Sequence, residues 1–537
     1  MDENIILEKV SEAGFMINKE AVDFLVCCRL SESCLPAIFA EIDASVFVIE
    51  TEHLITQVQI LEKESKNLAN TCEQTEEKRT GRAESEPKPE QPNIKNTGSA
   101  AGNEPDREFQ FKYSFEENPV EIVEDVSEKT TSVGEYNQFV QYFRDRYTRI
   151  SEMIRSRVSA RPIESLPKGK NVKPLSSRES NSEITIIGMV SEKSTTNNQH
   201  IVLVLEDPTG TFPVMITNRD TDLIEQAEKL VLDEIVGVTG NLTPEGTIMM
   251  ATKITQPDVP NNYSSNRKRS EGYALFISDI HVGSKEFMKE EWEIFLEFVN
   301  GRSENRQLQK IASETRYIVV AGDIVDGIGI YPGQEHDLEI PEIIKQYEAT
   351  AEYFHRIPKN IHVIIAPGNH DAVRRAEPQI TFPKKIREMF PENVTFTGNP
   401  AIVSLDGIYV QIYHGCSMDD MVAAIKGVSY QEPTSGMVEM VKRRHLAPTY
   451  GSRVMISPEK KDYLIIDKVP DIIHCGHVHT IGIQNYKNIL LINSGTWQSQ
   501  TDFQKKVNIV PNPAKVPFVD LRTMKPGILD FNISDEW

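Results

Sequence analysis

Five of the chain's twelve histidines lie in short polar clusters that also hold aspartate or asparagine. In order these are Asp279-Ile280-His281, Gly322-Asp323-Ile324-Val325-Asp326-Gly327, Gly368-Asn369-His370-Asp371, His414-Gly415 and Gly476-His477-Val478-His479. Imidazole, carboxylate and amide oxygen together, without thiolate, suit Mn²⁺, Fe, Zn²⁺ or Ni²⁺-type ions over soft-metal or purely hard-ion sites. Two such ions roughly 3.5–4 Å apart can clamp a phosphate and make water acidic enough to attack at neutral pH. A histidine titrating near 6.5 can then serve a leaving oxygen.

Each cluster ends a short apolar run: Tyr273–Ser278, Tyr317–Ala321, Ile361–Ala366, Ile408–Tyr413 and Ile472–Cys475. Runs of four to six Ile- and Val-rich residues closed by glycine or a polar residue read as buried strands of an α/β sheet. Sites in such sheets gather beyond the strands' carboxyl ends, where these clusters fall. One such fragment alone is usually a turn. Five in series are a constellation.

That series resembles the calcineurin-like metallophosphoesterase superfamily, a two-layered β-sandwich with outer helices and two divalent metals. The resemblance implies Asp279, His281, Asp323 and His479 around one metal. Asp323 then bridges to a second, completed by Asn369, His414 and His477. His370 is implied as the catalytic group facing the scissile phosphate. Mn²⁺ leads the expected cofactors, ahead of Mg²⁺, Fe, Zn²⁺ and Ni²⁺.

With 537 residues the chain exceeds one core, and two or three domains with linkers are expected. Hydrophobic residues at 39% and charged residues at 26% fit a soluble, cytoplasmic protein without a membrane span. Six cysteines show neither zinc spacing nor a disulfide framework. Cys475 reads as a small buried filler and His474 as facing the core. The net charge of −22 excludes a protein that coats nucleic acid by itself but not one that handles DNA locally.

The expected organisation is multidomain α+β. Residues 1–60 read as a small helical domain, with Asn18 capping a helix through Arg29 and too little basic charge to favour DNA binding. Residues 61–133 read as a disordered acidic linker, with 18 acidic against 10 basic side chains over 61–135. Within it Phe109, Phe111, Tyr113 and Phe115 alternate, as a docked strand or a partner motif. Residues 134–180 give a helix over Glu135–Val158 and a connector. Residues 181–257, with five short strands between Asn197-Asn198, Asp207-Pro208-Thr209-Gly210 and Pro244-Glu245-Gly246 turns, read as an OB-type barrel. Its strands carry one aromatic, Phe212, and little basic charge, which favours a scaffold over a single-strand binder. Residues 258–270 are expected as a linker, and 271–537 as the metallophosphoesterase domain. The densest basic patches are Arg374-Arg375, Lys384-Lys385-Ile386-Arg387 and Lys442-Arg443-Arg444. Of these, Arg374, Arg375, Lys442, Arg443 and Arg444 are the candidate DNA contacts. Trp497 reads as packing behind the site entrance.

Helical segment, acidic tether, OB barrel and phosphoesterase domain, in that order, resemble the archaeal family D DNA polymerase small-subunit family. Arg155-Ser-Arg-Val-Ser-Ala-Arg-Pro162, Leu205-Glu-Asp-Pro-Thr-Gly210 and His414-Gly-Cys-Ser-Met-Asp-Asp420 add to the likeness. It implies a proofreading 3′→5′ exonuclease acting on single-stranded or mismatched DNA 3′ ends. It also implies a polymerising large subunit as partner, and through it a sliding clamp. The alternatives are a free-standing nuclease or phosphatase of the same superfamily and a catalytically silent scaffold.

Overall fold

The computed structural model describes residues 109–117, 119–166, 183–265, 270–506 and 508–532, together with 16–17, 22, 26 and 48–49. The chain divides into two compact units, 1–106 and 107–537. In the first, Met16–Ile17 pairs in parallel with Val48–Ile49, and Val22 is helical and buried. The remainder of the expected helical domain, and residues 61–108 of the expected linker, lie outside the described residues.

In the second unit the apolar runs become strands. One sheet orders Val394–Phe396, His362–Ala366, Thr315–Ala321, Tyr273–Ile277, Lys515–Asp520 and Lys525–Asp530, the first four mutually parallel. The other orders Gly482–Tyr486, Ile489–Asn493, Ile472–Cys475, Ile408–Ile412, Ala401–Leu405 and Val120–Asp125. Strand side chains alternate between faces. Ala274, Phe276, Val319 and Ile364 therefore share one core with Val403, Val410, Ile412, Ile472 and Ile492 of the other sheet. Leu275, Ile277, Val320 and Val363 face the opposite way, onto Trp292, Phe295, Tyr347 and Phe354 of helices Lys289–Val299 and Ile343–His355. The second sheet is covered outside by Pro433–Arg443, whose Met437, Met440 and Val441 pack with Ile473, Cys475 and Leu491. Burial on both faces explains why the runs are continuously hydrophobic.

Val120–Asp125 corrects the expected linker. It pairs antiparallel with Ala401–Leu405 as the edge strand, and Thr130, Thr131 and Ser132 then bond Glu459. Phe109 and Phe111 meet edge to face and together pack against the core of the helical layer. The aromatics thus belong to the fold rather than to a free tether.

Helix Tyr136–Arg155 begins at a capping box between Glu135 and Gln138. Its buried Tyr142, Arg146, Ile150 and Ile154 recur at four-residue steps. Tyr142 joins the second sheet's outer core, while Ile150 and Ile154 meet Ile187 and Ile235. Those isoleucines belong to a closed five-stranded barrel of Ile184–Thr195, Ile201–Asp207, Gly210–Ile216, Met249–Thr255 and Ile235–Leu242. Phe212 is buried in its interior, and so offers no stacking surface. The expected linker at 258–270 is docked where described: Asp258 bonds Tyr486 and Lys487.

Candidate metal centre

Asp279, His281, Asp323, His477 and His479 all adopt left-handed backbone, with φ between 51° and 69°. Non-glycine residues seldom adopt it, and such strain persists only where surrounding contacts impose it. The contacts are visible. Asp279 accepts the His477 amide at both carboxylate oxygens, 2.9 and 3.1 Å, and its carbonyl takes Trp497 N–H and Thr496 Oγ1–H. Gly476 and Gly368 allow the close approach: a Cβ on the first would strike Ser278 and Asp279, and on the second the Asp323 carboxylate.

Two groups of acceptors converge at the strand ends. In the first, His281 Nδ1 lies 3.1 Å from Asp326 Oδ1, a charge contact that favours the proton on that nitrogen and leaves Nε2 facing inward. That Nε2 is 3.1 Å from His479 Nε2, which is 3.4 Å from Asp279 Oδ1. The opposite nitrogen of His479 accepts from the Gln504 amide N–H at 2.7 Å, which leaves the proton of the metal-free ring on Nε2. In the second group, His414 Nδ1 donates to the Ala321 carbonyl at 2.7 Å. Its Nε2 then faces Asn369 Oδ1 at 3.0 Å and Asp323 Oδ2 at 3.2 Å. One ligating atom each of Asp279, Asp323 and His414 lies within 4.8 Å of the others, joining the groups. Imidazole nitrogens, carboxylate oxygens and an amide oxygen thus crowd one small volume. The donor set fits two divalent cations.

Without such charge the groups hold protons instead. Burial opposes charge on His414, yet Asp323 lifts it to about 10. Asp323 is likewise opposed by burial but is held well below the carboxylate range by His414 and His370. Burial, and then repulsion from Asp323, pushes Asp371 up to about 7. Metal binding at such a site must displace protons.

All seven candidate ligands and His370 lie around this centre. His370 takes its backbone position from Asp323, which accepts its amide at 2.8 Å, and its Nδ1 donates to the Asp326 carbonyl at 2.7 Å. Asp279, His281, Asp323, His414 and His479 are buried, whereas Asn369, His370 and His477 are half-buried and mark the open side. His477 is the loosest member: its Nε2 is 3.4 Å from Asp419, and its ring stands 5.2 Å from that of His414.

Reading the sequence missed four residues. Asp326 fixes His281 and is itself held by Gln334 and Gln498. Asp371 accepts the Asp323 and Gly368 amides, both at 2.8 Å. Asp419 orients His477. Cys416 places its thiol with the nitrogens of His414 and His477, 3.3 Å from Asn369 Oδ1. All four sit inside or directly after the motifs, which is the one signal that could have drawn attention to them.

The basic candidates fare differently. Arg443 is buried, 3.0 Å from Glu234 of the barrel and paired with Glu439. Arg444 is buried with its guanidinium on the Ile466 and Asp467 carbonyls. Neither is a DNA contact, because each guanidinium is spent inside the protein. Lys442 pairs with Glu439 at 2.8 Å, and Arg374 with Glu459 at 2.8 Å. Arg375 alone of the five is exposed beside the centre, bonded to the Gly329 carbonyl at 2.9 Å. His474 bonds Ser494 in the core, Cys475 is buried, and Trp497 packs on Trp292.

The family model for the B-subunit of DNA polymerase alpha/epsilon matches residues 274–481, and that for an OB-fold nucleic acid binding domain matches 184–256. The DNA polymerase II small subunit of Archaeoglobus fulgidus is 44% identical over 397 residues, 74% of this chain and 78% of that protein. Its counterpart in Methanocaldococcus jannaschii is 41% identical over 405 residues, 75% and 67% of the respective chains. That of Halobacterium salinarum is 39% identical over 416 residues, 77% and 78%. Among the described residues no helix is long and apolar enough to cross a membrane.

Proposed function

Because this chain belongs to the DNA polymerase II small subunit family, we propose that it is the 3′→5′ exonuclease of that polymerase, removing misinserted nucleotides. The two facing sheets are read as a calcineurin-like metallophosphoesterase sandwich. The observation that carries the reading is the pair of potential ligand clusters joined through Asp279 and Asp323. Asp279, His281 and His479 would hold one divalent ion; Asn369, His414 and His477 the other; Asp323 would serve both. Bound there, the ions would supply Lewis-acid neutralisation of a phosphodiester and would acidify water, Mn²⁺ being the first choice.

The remaining work falls to the chain itself. Asp326 keeps the His281 proton on Nδ1 so that Nε2 stays a ligand. Asp371 and Gly368 hold the Asn369-His370 loop against Asp323. Burial keeps His370 below its usual range, so it is neutral in the free protein. An entering phosphodiester favours its imidazolium, and the Nε2 proton then goes to the departing 3′-oxygen. Nucleoside 5′-monophosphates leave. The barrel and Tyr136–Arg155 form the scaffold on which the polymerising large subunit docks.

The test is a 5′-labelled primer with a mismatched 3′ end, incubated with Mn²⁺ and the full chain alone or with its large subunit. Stepwise shortening from the 3′ end is expected. Internal nicking, or no cleavage in either case, would overturn the assignment.

A further inference from the structure

Ile328, Tyr331, Met455 and Val510 are among the exposed large hydrophobic side chains of the described residues. Two of them share one loop, which leaves the site at Asp326. Gly327 at its base is held by Gln346 and packs against the His370 carbonyl, and Gln334 bonds both Asp326 and Ile330 N–H. Gln334 is buried, so the base is fixed. The tip is open: Ile328 is 44% and Tyr331 37% exposed, the Tyr331 hydroxyl is anchored on Asp337 at 3.0 Å, and neither Gly329 nor Gly333 has an atom near its Cβ position. The Arg375 guanidinium sits on the Gly329 carbonyl. Partly apolar side chains are left facing water here, Ile328 two residues and Tyr331 five residues beyond Asp326, whose carbonyl carries the His370 contact.

We propose that this tip is a platform for the unpaired bases at a DNA 3′ end, with Tyr331 and Ile328 taking base faces and Arg375 the neighbouring phosphate. The proposal rests on the phosphodiesterase reading above. Continuity with the centre selects the occupant: a phosphate at His370 brings its own base and the next phosphate of the strand into the same neighbourhood. Base-on-aromatic stacking beside a cation is how sequence-neutral single-strand binders work. A paired end keeps its bases stacked on one another and cannot use the ring. The loop would therefore select frayed or mismatched ends over duplex ones.

The experiment compares single strands ending in thymidines with strands ending in abasic residues, hydrolysed by the Mn²⁺-loaded full chain. The readout is the ratio of kcat/KM for the two. Tyr331→Ala and Tyr331→Leu are expected to lower that ratio about tenfold, the size of one lost stack, and Tyr331→Phe to retain it. Rates that fall equally on both strands, or a ratio that does not change, would overturn the platform. A wild-type protein that cleaves both strands without base preference overturns it also. Cleavage of neither strand sinks the phosphodiesterase reading instead.

Discussion

His281 Nε2 and His479 Nε2 stand 3.1 Å apart, nitrogen to nitrogen, with Asp279 alongside and Asp326 behind. The arrangement has direction: Asp326 decides which nitrogen of His281 faces inward. Exchanging that carboxylate for a carboxamide weakens its hold on the tautomer while keeping its volume. Asp326→Asn is therefore expected to bind Mn²⁺ ~10–100-fold more weakly. Equilibrium titration calorimetry checks this, and unchanged affinity would remove Asp326 from the site's support.

His370 makes a different prediction: a nitrogen of its ring comes within 4.8 Å of ligand atoms of His281 and Asp323, yet it is read as a proton donor and not as a ligand. Its Nδ1 is committed to the Asp326 carbonyl, and its ring lies on the open side. His370→Ala should lower kcat by about 10²–10⁴-fold, the usual worth of a positioned proton donor. The metal content measured by elemental analysis should stay at the wild-type level. Loss of metal along with activity would make His370 a ligand.

The protons held at the metal-free acceptors set a pH dependence. His414 titrates at about 10 in the metal-free protein, against about 6.5 in an unfolded chain. A raised histidine contributes stability that is fully present below 6.5 and lost as pH rises through about 10. The metal-free protein should accordingly lose Tm between pH 7 and 10. A cation must displace the same proton, so Mn²⁺ affinity should rise with pH, up to about tenfold per unit below 10. Scanning calorimetry with and without Mn²⁺ reads both trends; parallel curves would mean that His414 and the metal do not compete.

The sequence made the strand ends legible for a physical reason. Strands buried on both faces must be apolar throughout, so each polar cluster stood out where its run stopped. The barrel was legible through its turns, such as Asp207-Pro208-Thr209-Gly210, where Asp207 Oδ1 caps the Thr209 and Gly210 amides. Val120–Asp125 was not. It is an edge strand, paired on one side, so it needs only Val120, Ile122 and Val123 among acids and reads as tether. Supporting residues were equally hidden, since Asp326 acquires its role from His281, forty-five positions away. Arg443 and Arg444 read as candidate DNA contacts because their partners, Glu234 and the Ile466 and Asp467 carbonyls, come from other parts of the chain.

That last misreading yields a test which separates a structural cation from a DNA contact. Arg443 lies between Glu234 of the barrel and Glu439 of its own helix, with all three side chains buried or nearly so. Removing one member of a buried ion network strands the others, at about 3–5 kcal/mol. Arg443→Ala should thus lower the unfolding free energy in urea by about that amount, the barrel carboxylate Glu234 losing its partner. Arg443→Met, which fills the volume but not the charge, should remain destabilised; only the double variant with Glu234→Gln should recover part of the loss. DNA affinity of the folded variant, and its slope against salt concentration, should match wild type, because no phosphate contact has gone. A shallower salt slope with unchanged stability would put Arg443 on the DNA surface and leave the barrel without its buried fastening.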